Sequence, residues 1–473
     1  MTPTPVRNDE MRYNLLHSYV CNTSPIPYKV RDVRIDALNH TRPRLRAVGH
    51  RRNRRLAGAG DGQARESFRR KPKPCKRLLH SDQQIGATSQ HMQELGIIMN
   101  GVTGRMGTNQ HLIRSIVALR EEGGVELPSG ERVMPDPLLV GRNERKLREL
   151  SEEHGIDRWT VDPDLETCLD GDDEVYFDSQ ITPRRPDSVM KAIDAGKHVY
   201  CEKPLASDLS AALDVAGMAE ESDVKHGIVQ DKLWLPGLLK LQRLIEQDFF
   251  GDILSVRVEF GYWVFTGHGQ EAQRPSWNYR AEDGGGIVDD MFSHWSYVLE
   301  NLFGEVESVR CLQKTHIDER IDEDGESYEA TADDAAYAIM ELEDDIVAQL
   351  NSSWTVRVNR DDLLEIQVDG TEGSAVAGLR DCKTQGHANT PKPEWNPDTP
   401  KEHDFYEDWT GVPNNQVFEN AFKLQWEKFI RHVVADEPFP WDFTAGARGV
   451  QLTEASYRSS EEGRRVVLDD LSV

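Results

Sequence analysis

Hydrophobic and polar positions divide the chain into three stretches of different periodicity. Up to residue 91 apolar residues are sparse and follow no sustained period, so this segment cannot bury enough surface to fold alone. From there to about 226, short apolar runs alternate with helical patterns. Leu95-Gly-Ile-Ile-Met99 reads as a buried strand, and Leu112, Ile113, Ile116 and Val117 fall on one face of a following helix. Pro137-Leu-Leu-Val140 and Glu174-Val-Tyr-Phe177 read as further strands. A helix follows from about 186 to 195, and then the strand that ends in Tyr200-Cys201-Glu202. Strand–helix–strand repetition predicts a parallel sheet with helices on its faces. After His226 the pattern changes to strands such as 253–260, 337–340, 346–350 and 364–368, the signature of an open sheet. One helix interrupts it, with an apolar stripe of Met291, Trp295, Val298 and Leu302.

The predicted fold class is therefore α/β: a dinucleotide-binding domain over 92–226, followed by an α+β domain with an open, mainly antiparallel sheet over 227–473. Segment 1–91 is set apart as a disordered basic extension.

Charge draws the same first boundary. Residues 1–91 carry 19 Lys and Arg against 7 Asp and Glu, whereas residues 92–473 carry 37 against 75, within a chain of 473 residues and net charge −26. The extension holds Arg51-Arg-Asn-Arg-Arg55 and Arg69-Arg-Lys-Pro-Lys-Pro-Cys-Lys-Arg77. A basic nucleic-acid arm, a twin-arginine export signal and a mis-assigned start ahead of Met92 are the readings to weigh. The export reading fails because no apolar stretch follows either arginine pair, and the start at Met92 is preferred. Carboxylates spread along the whole acidic body would repel one another at low salt. That favours a protein adapted to a high-salt cytosol, where counter-ions screen the surface; an ordinary acidic enzyme is the alternative. The acidic body argues against nucleic acid or anionic membrane as partner. No run approaches a membrane span, and six scattered cysteines without paired spacing fit a reducing cytoplasm and give no zinc motif.

The candidate chemistry begins between the first strand and its helix, at Gly101-Val-Thr103-Gly104-Arg105-Met106-Gly107. Glycines there let the backbone turn sharply and approach a pyrophosphate, whose charge is favoured at the helix start. The second strand ends in Gly141-Arg142-Asn143, the point that faces the adenosine ribose in a dinucleotide fold. An acid there would select NAD; Arg142 suits a 2′-phosphate, with Arg105 as a second positive group, so NADP is the expected cofactor and NAD the alternative. Thr182, Pro183, Glu202 and Lys203 fall at carboxyl ends of strands, the edge where such sheets bind ligands. Downstream, Gly284-Gly-Gly286 opens the helix that carries Asp290 and His294, four residues apart on one face. A histidine beside a carboxylate has a pKa suited to proton transfer near neutral pH.

In their order, the glycine loop, Ile181-Thr-Pro183, Glu202-Lys203-Pro204 and Gly284-Gly-Gly with Asp290-x-x-x-His294 resemble the Gfo/Idh/MocA family, the glucose–fructose oxidoreductase and inositol dehydrogenase group. Asp333-Asp-Ala-Ala-Tyr337 and Asp369-Gly-Thr-Glu-Gly-Ser374 extend the likeness, which spans about 93–465. The resemblance implies a Rossmann domain and an open sheet with the nicotinamide held between them. It implies that Lys203 bonds the substrate hydroxyl beside the nicotinamide, that the Lys203–Pro204 bond is often cis, and that Asp290 orients the substrate or the histidine. His294 would be the general base in alcohol oxidation and the acid in carbonyl reduction.

The substrate class implied is a sugar, inositol or related polyol. The alternatives are a redox-neutral sugar hydrolase or lyase with tightly held cofactor, and a nucleotide-binding sensor without catalysis. The chain departs from the family pattern in its G-x-x-G-x-x-G spacing, in Arg142, and in Asp289 preceding Asp290. Lys232, Trp277, Tyr279 and Arg280 are candidate pocket residues, against core packing for the aromatics and a surface ion pair for Arg280. The uncovered face of the second sheet implies a homodimer or homotetramer.

Overall fold

The computed structural model describes residues 92–161, 165–360, 362–392, 396–400 and 404–471. The expectations for 1–91, with the arginine runs, Cys21 and Cys75, lie outside the described residues.

Six parallel strands form the first sheet: β1 (Gln93–Asn100), β2 (Arg132–Gly141), β3 (Trp159–Val161), β4 (Val175–Asp178), β5 (His198–Cys201) and β6 (His226–Ile228). Their spatial order is 3-2-1-4-5-6, the doubly wound arrangement, with an antiparallel stub, Val125–Glu126, added on β2. Chain order reverses beside β1, so the crevice at its carboxyl end is the ligand edge. The strand centres are apolar, Ile97, Ile98, Leu139, Val140, Val175, Tyr176 and Phe177 being wholly buried, as a sheet covered on both faces requires.

The second sheet is built on β7 (Ile253–Phe260), β8 (Val306–Lys314), β9 (Ala335–Leu342), β10 (Val347–Ser353), β11 (Leu364–Gly370), β12 (Gly373–Ala377) and β13 (Cys382–Gly386), in the order 13-12-11-7-10-9-8. All its pairings are antiparallel except β7 with β10. Alternate residues, Val256 and Val258 or Met340 and Leu342, point into a core closed by helix α1 (Ile287–Phe303). The opposite face leaves Leu312, Tyr337, Ile339 and Val347 exposed.

Two C-terminal helices return to the first sheet. Phe422, Trp426, Phe429 and Ile430 of α2 (Ala421–Ala435) pack with Leu112, Phe177 and Tyr200 on one face. Phe443, Ala447 and Val450 of α3 (Phe443–Glu462) pack with Val199 and Ala216 on the other, while Leu452 and Ala455 join the core under the second sheet.

The helix after the glycine loop also differs from expectation. Gly107–Val117 winds in the wide π form, not as an α-helix, before continuing as Ala118–Glu121. The Ser115 hydroxyl donates to the Gln110 carbonyl five residues back (2.7 Å), which suits the wider turn. Leu112 and Ile116 still face the core, and the extra girth also buries His111. Such turns are rare and concentrate at functional sites.

Candidate active site

The glycine loop is shaped by two of its three glycines. Gly101 has φ +83°, and a Cβ on it would lie 2.7 Å from the Ser179 backbone. On Gly107 a Cβ would sit 2.6 Å from both the Gly101 carbonyl and the Ser179 hydroxyl, whereas Gly104 meets only one atom, at 3.2 Å. The backbone N–H groups of Gly101 and Val102 donate to Val140 O, tying the loop to the end of β2. At the start of the following helix the Thr108 N–H donates to Gly104 O (2.8 Å), and a helix start of this kind favours an anion through its remaining N–H groups and its dipole. This backbone fits a dinucleotide pyrophosphate. Gly107→Ala is expected to cost about 1–3 kcal/mol through the clash, read as a lowered thermal midpoint together with weakened nucleotide binding.

At the end of β2, Arg142 is exposed. Asn143 caps the next helix, its side chain accepting from Lys146 N (3.1 Å), so its amide is committed to the backbone. Lys146 Nζ donates to Thr103 O (2.9 Å) and sets a second cation beside the loop. Thr182 and Pro183 form the turn after β4.

Glu202 ends β5 in a buried network. His111 Nε2 lies 2.8 Å from its Oε1, and the Trp426 indole N–H donates to His111 Nδ1 (3.0 Å). An N–H aimed at Nδ1 requires a lone pair there, so His111 is neutral and its Nε2–H donates to the carboxylate. Burial opposes ionisation of Glu202, but this hydrogen bond and the charges of Lys203 and Arg185 hold its carboxyl below the usual value. Its second oxygen accepts from the Lys203 backbone N–H (3.1 Å). The Lys203–Pro204 peptide is cis.

Lys203 crosses the cleft to α1, with Nζ 2.8 Å from Asp290 O and 3.3 Å from Asp290 Oδ1. Arg274 Nη1 lies 2.8 Å from Asp290 Oδ2. Burial would raise the Asp290 carboxyl, but Arg274 and Lys203 hold it down to about 2. Arg105 is within electrostatic reach of Arg274, Asp290 and Glu202. Asp289 turns the other way, to the Tyr457 hydroxyl (3.0 Å). Burial pushes its carboxyl up to about 6 despite that bond, and the ion pair with Lys203 is made by Asp290. His294, one turn along α1, is buried with Nδ1 2.7 Å from the Tyr297 hydroxyl and 3.7 Å from Asp231 Oδ1. Burial first, then the charges of Lys203, Lys232 and Arg274, press its pKa well below the ordinary histidine value.

Comparison with known proteins places this geometry. Residues 140–229 match the oxidoreductase family with an NAD-binding Rossmann fold, and 238–376 match the GFO/IDH/MocA C-terminal domain. A D-xylose dehydrogenase of Paenarthrobacter nicotinovorans is 51% identical over 381 residues, covering 80% of this chain and 98% of that relative. The chain belongs to the Gfo/Idh/MocA family. It is an NAD(P)-dependent oxidoreductase. Its fold is shared with a levoglucosan dehydrogenase solved with NADH and levoglucosan (TM-score 0.65, 19% identity, 80% of this chain and 100% of the other). An NAD-binding oxidoreductase from Klebsiella pneumoniae is similar to the same extent (TM-score 0.64, 19% identity, 80% and 100%).

Within this Gfo/Idh/MocA site, Lys203 and Asp290 meet directly, and His294 shares their cleft. Asp290 is ion-paired with Lys203 and Arg274, its Oδ2 lacking a hydrogen bond, while His294 Nδ1 lies against the Tyr297 hydroxyl. Lys232 pairs with Asp231 (2.6 Å) beside them. Of the candidate pocket residues, Trp277 is half exposed. Tyr279 is a correction: it is fully buried, its hydroxyl donates to Phe265 O (2.6 Å), and the Arg320 guanidinium stacks 4.1 Å from its ring, so it packs the loop and lines no open pocket. The Arg280 guanidinium lies over the Tyr328 ring at 4.4 Å. Sequence reasoning missed Asp231, Arg274, Tyr297, His111 and Lys146. Tyr297, three residues after His294 on a buried face, carried the one local signal. Among the described residues no cluster of His, Cys, Asp and Glu could hold a metal, and no helix is long and apolar enough to cross a membrane.

Proposed function

We propose that this protein oxidises a C–OH group of a monosaccharide such as D-xylose, with NADP as the preferred partner. The observation that carries the reading is the convergence of the Lys203 ammonium, the Asp290 carboxylate and the neutral His294 at the carboxyl edge of the first sheet. The D-xylose relative supports the sugar. Gly101, Thr103, Gly104, Arg105, Met106 and Gly107 hold the pyrophosphate; Thr182, Pro183 and Glu202 shape the floor under the nicotinamide. When bound, the nicotinamide accepts the hydride. This chain's own groups handle the proton and the charge. Asp290 and Arg274 position the sugar hydroxyls. Lys203 stabilises the alkoxide as it develops, and His294 removes the hydroxyl proton. Residues 92–226 serve nucleotide binding and 227–473 substrate binding. Association into a homodimer or homotetramer covers the apolar residues of the open sheet face.

The NADP preference rests on Arg142 and Lys146 beside the glycine loop, with no acid at the end of β2. The test is turnover of D-xylose, other aldoses and inositol in molar KCl, followed by nicotinamide absorbance with NADP and NAD in parallel. Reduction of NADP by an aldose is expected. Arg142→Asp is expected to move the NADP:NAD ratio of kcat/KM at least about tenfold toward NAD, near 1.4 kcal/mol. A wild-type preference for NAD would overturn the cofactor assignment and leave the sugar chemistry standing. Silence across the panel from folded protein would overturn the sugar chemistry.

A further inference from the structure

The hydrogen bonds around Tyr297 determine which nitrogen of His294 faces the substrate. The Tyr297 oxygen accepts from the Lys232 backbone N–H (3.1 Å) and donates its own proton to Asp231 Oδ1 (3.2 Å). Asp231 is an acceptor only, because its other oxygen lies 2.6 Å from the Lys232 ammonium. A hydroxyl has one proton and two lone pairs. One lone pair is left, and the atom 2.7 Å away is His294 Nδ1. The ring must therefore carry its hydrogen on Nδ1. The reverse assignment, with Tyr297 donating to Nδ1, would leave two oxygens 3.2 Å apart with no proton between them. His294, Tyr297 and Asp231 are all buried, which makes an unmet partner costly.

We propose that Tyr297 and Asp231 are positioning residues for catalysis: they fix His294 as the Nδ1–H tautomer, so that Nε2 presents its lone pair to the substrate, and they compensate the imidazolium formed when it takes the proton. This rests on the proposed alcohol oxidation. There the O–H bond breaks and an N–H bond forms at Nε2, the C–H electron pair leaves as hydride to the oxidised nicotinamide, and C=O forms. The charged groups facing His294 are Lys203 after β5, Asp231 and Lys232 after β6, and Arg274 from the loop after β7. Three are cations that oppose a positive ring, and Asp231, reached through Tyr297, is the anion that favours it. The arrangement is a histidine oriented by a carboxylate, with a tyrosine hydroxyl interposed.

Tyr297→Phe and Asp231→Asn test this in the full chain with D-xylose and NADP. Both are expected to lower the plateau kcat about 10²-fold, with the KM for D-xylose and the Kd for NADPH changed less than about threefold. Because both remove support for the imidazolium, the acid limb of kcat/KM is expected to move to lower pH. A merely structural role would lower the thermal midpoint and leave that limb in place. An unmoved limb with near-wild-type kcat overturns the proposal, as does a change confined to KM, which would make these residues sugar ligands. Should Tyr297→Phe fail to bind NADPH, the isosteric Asp231→Asn decides alone. His294→Asn separates the two levels. Activity retained in His294→Asn removes the base itself. Activity lost there but kept in Tyr297→Phe and Asp231→Asn removes only the relay.

Discussion

Lys203→Met is expected to lower kcat/KM for D-xylose by about 10³-fold, close to 4 kcal/mol of transition-state stabilisation, the upper end for one donor to a developing oxyanion. Lys203 is mostly shielded from solvent and its ammonium is held against α1 by the Asp290 carbonyl and carboxylate. It is therefore oriented before substrate arrives and needs little reorganisation when the alkoxide forms. Methionine keeps the length and apolar volume of the stem and removes the charge. The backbone N–H of residue 203 still donates to Glu202, so NADPH affinity by fluorescence titration is expected to stay within about threefold. Equal loss of NADPH binding and turnover would instead make Lys203 a cofactor ligand.

The same change alters acid stability. Asp290 is held at about 2 by Arg274 and Lys203 against the opposing effect of burial. A carboxyl depressed in the folded state contributes stability that is full above its unfolded value and is lost as pH falls through the folded value. In the wild type that loss runs from about pH 4 down to about 2. With Lys203 gone the folded value rises and less stability is there to lose. Urea unfolding in that window is expected to show a shallower pH slope for Lys203→Met than for the wild type.

The parts of the site legible in the sequence are those written within single segments. The glycine loop, Glu202-Lys203-Pro204 and Asp290-x-x-x-His294 each lie within a few residues and follow a recognisable periodicity. So does the alternation that indicated a parallel sheet followed by an open one. Contacts between segments were not legible. His111 is bound by Glu202 and by Trp426, 315 positions away, and no local pattern connects them. Arg274 and Asp231 lie in stretches whose composition resembles many loops, and only the fold brings them to α1. Asp290 and His294 do share a helix face, but that face meets cations at one turn and a tyrosine at the next, so their common spacing did not imply a common partner. Tyr279 failed for the complementary reason: an aromatic in a glycine-flanked loop reads alike whether it lines a pocket or fills a core, and Arg320 and Phe265 O claim it for the core. The return of α2 and α3 to the first sheet was hidden because an apolar helix face does not specify which sheet it covers.

His294→Asn is expected to lower kcat for D-xylose oxidation by about 10³-fold, within the range for loss of a positioned general base. Asparagine keeps a hydrogen-bonding amide near the Tyr297 hydroxyl but offers no basic nitrogen to the sugar. The pH profiles carry the sharper test. Burial and the charges of Lys203, Lys232 and Arg274 press the His294 pKa well below its ordinary value. The wild-type acid limb is therefore expected below the usual histidine range, and His294→Asn should lose it. Stability must follow with a definite sign. In the unfolded chain this histidine protonates near pH 6.5, whereas in the folded chain it stays neutral to lower pH. Between those values the unfolded state binds the extra proton, so the wild type loses stability as pH falls, and the full contribution is present above about pH 6.5. Replacing His294 removes that proton from both states. Denaturant unfolding at about pH 5 and about pH 7.5 should then show a smaller difference for His294→Asn than for the wild type. A difference that is instead larger for His294→Asn than for the wild type, with the acid limb unchanged, would mean that His294 is protonated in the folded protein at neutral pH. A protonated ring can donate to a carbonyl but cannot take a proton from an alcohol, so that result would assign the site to reduction.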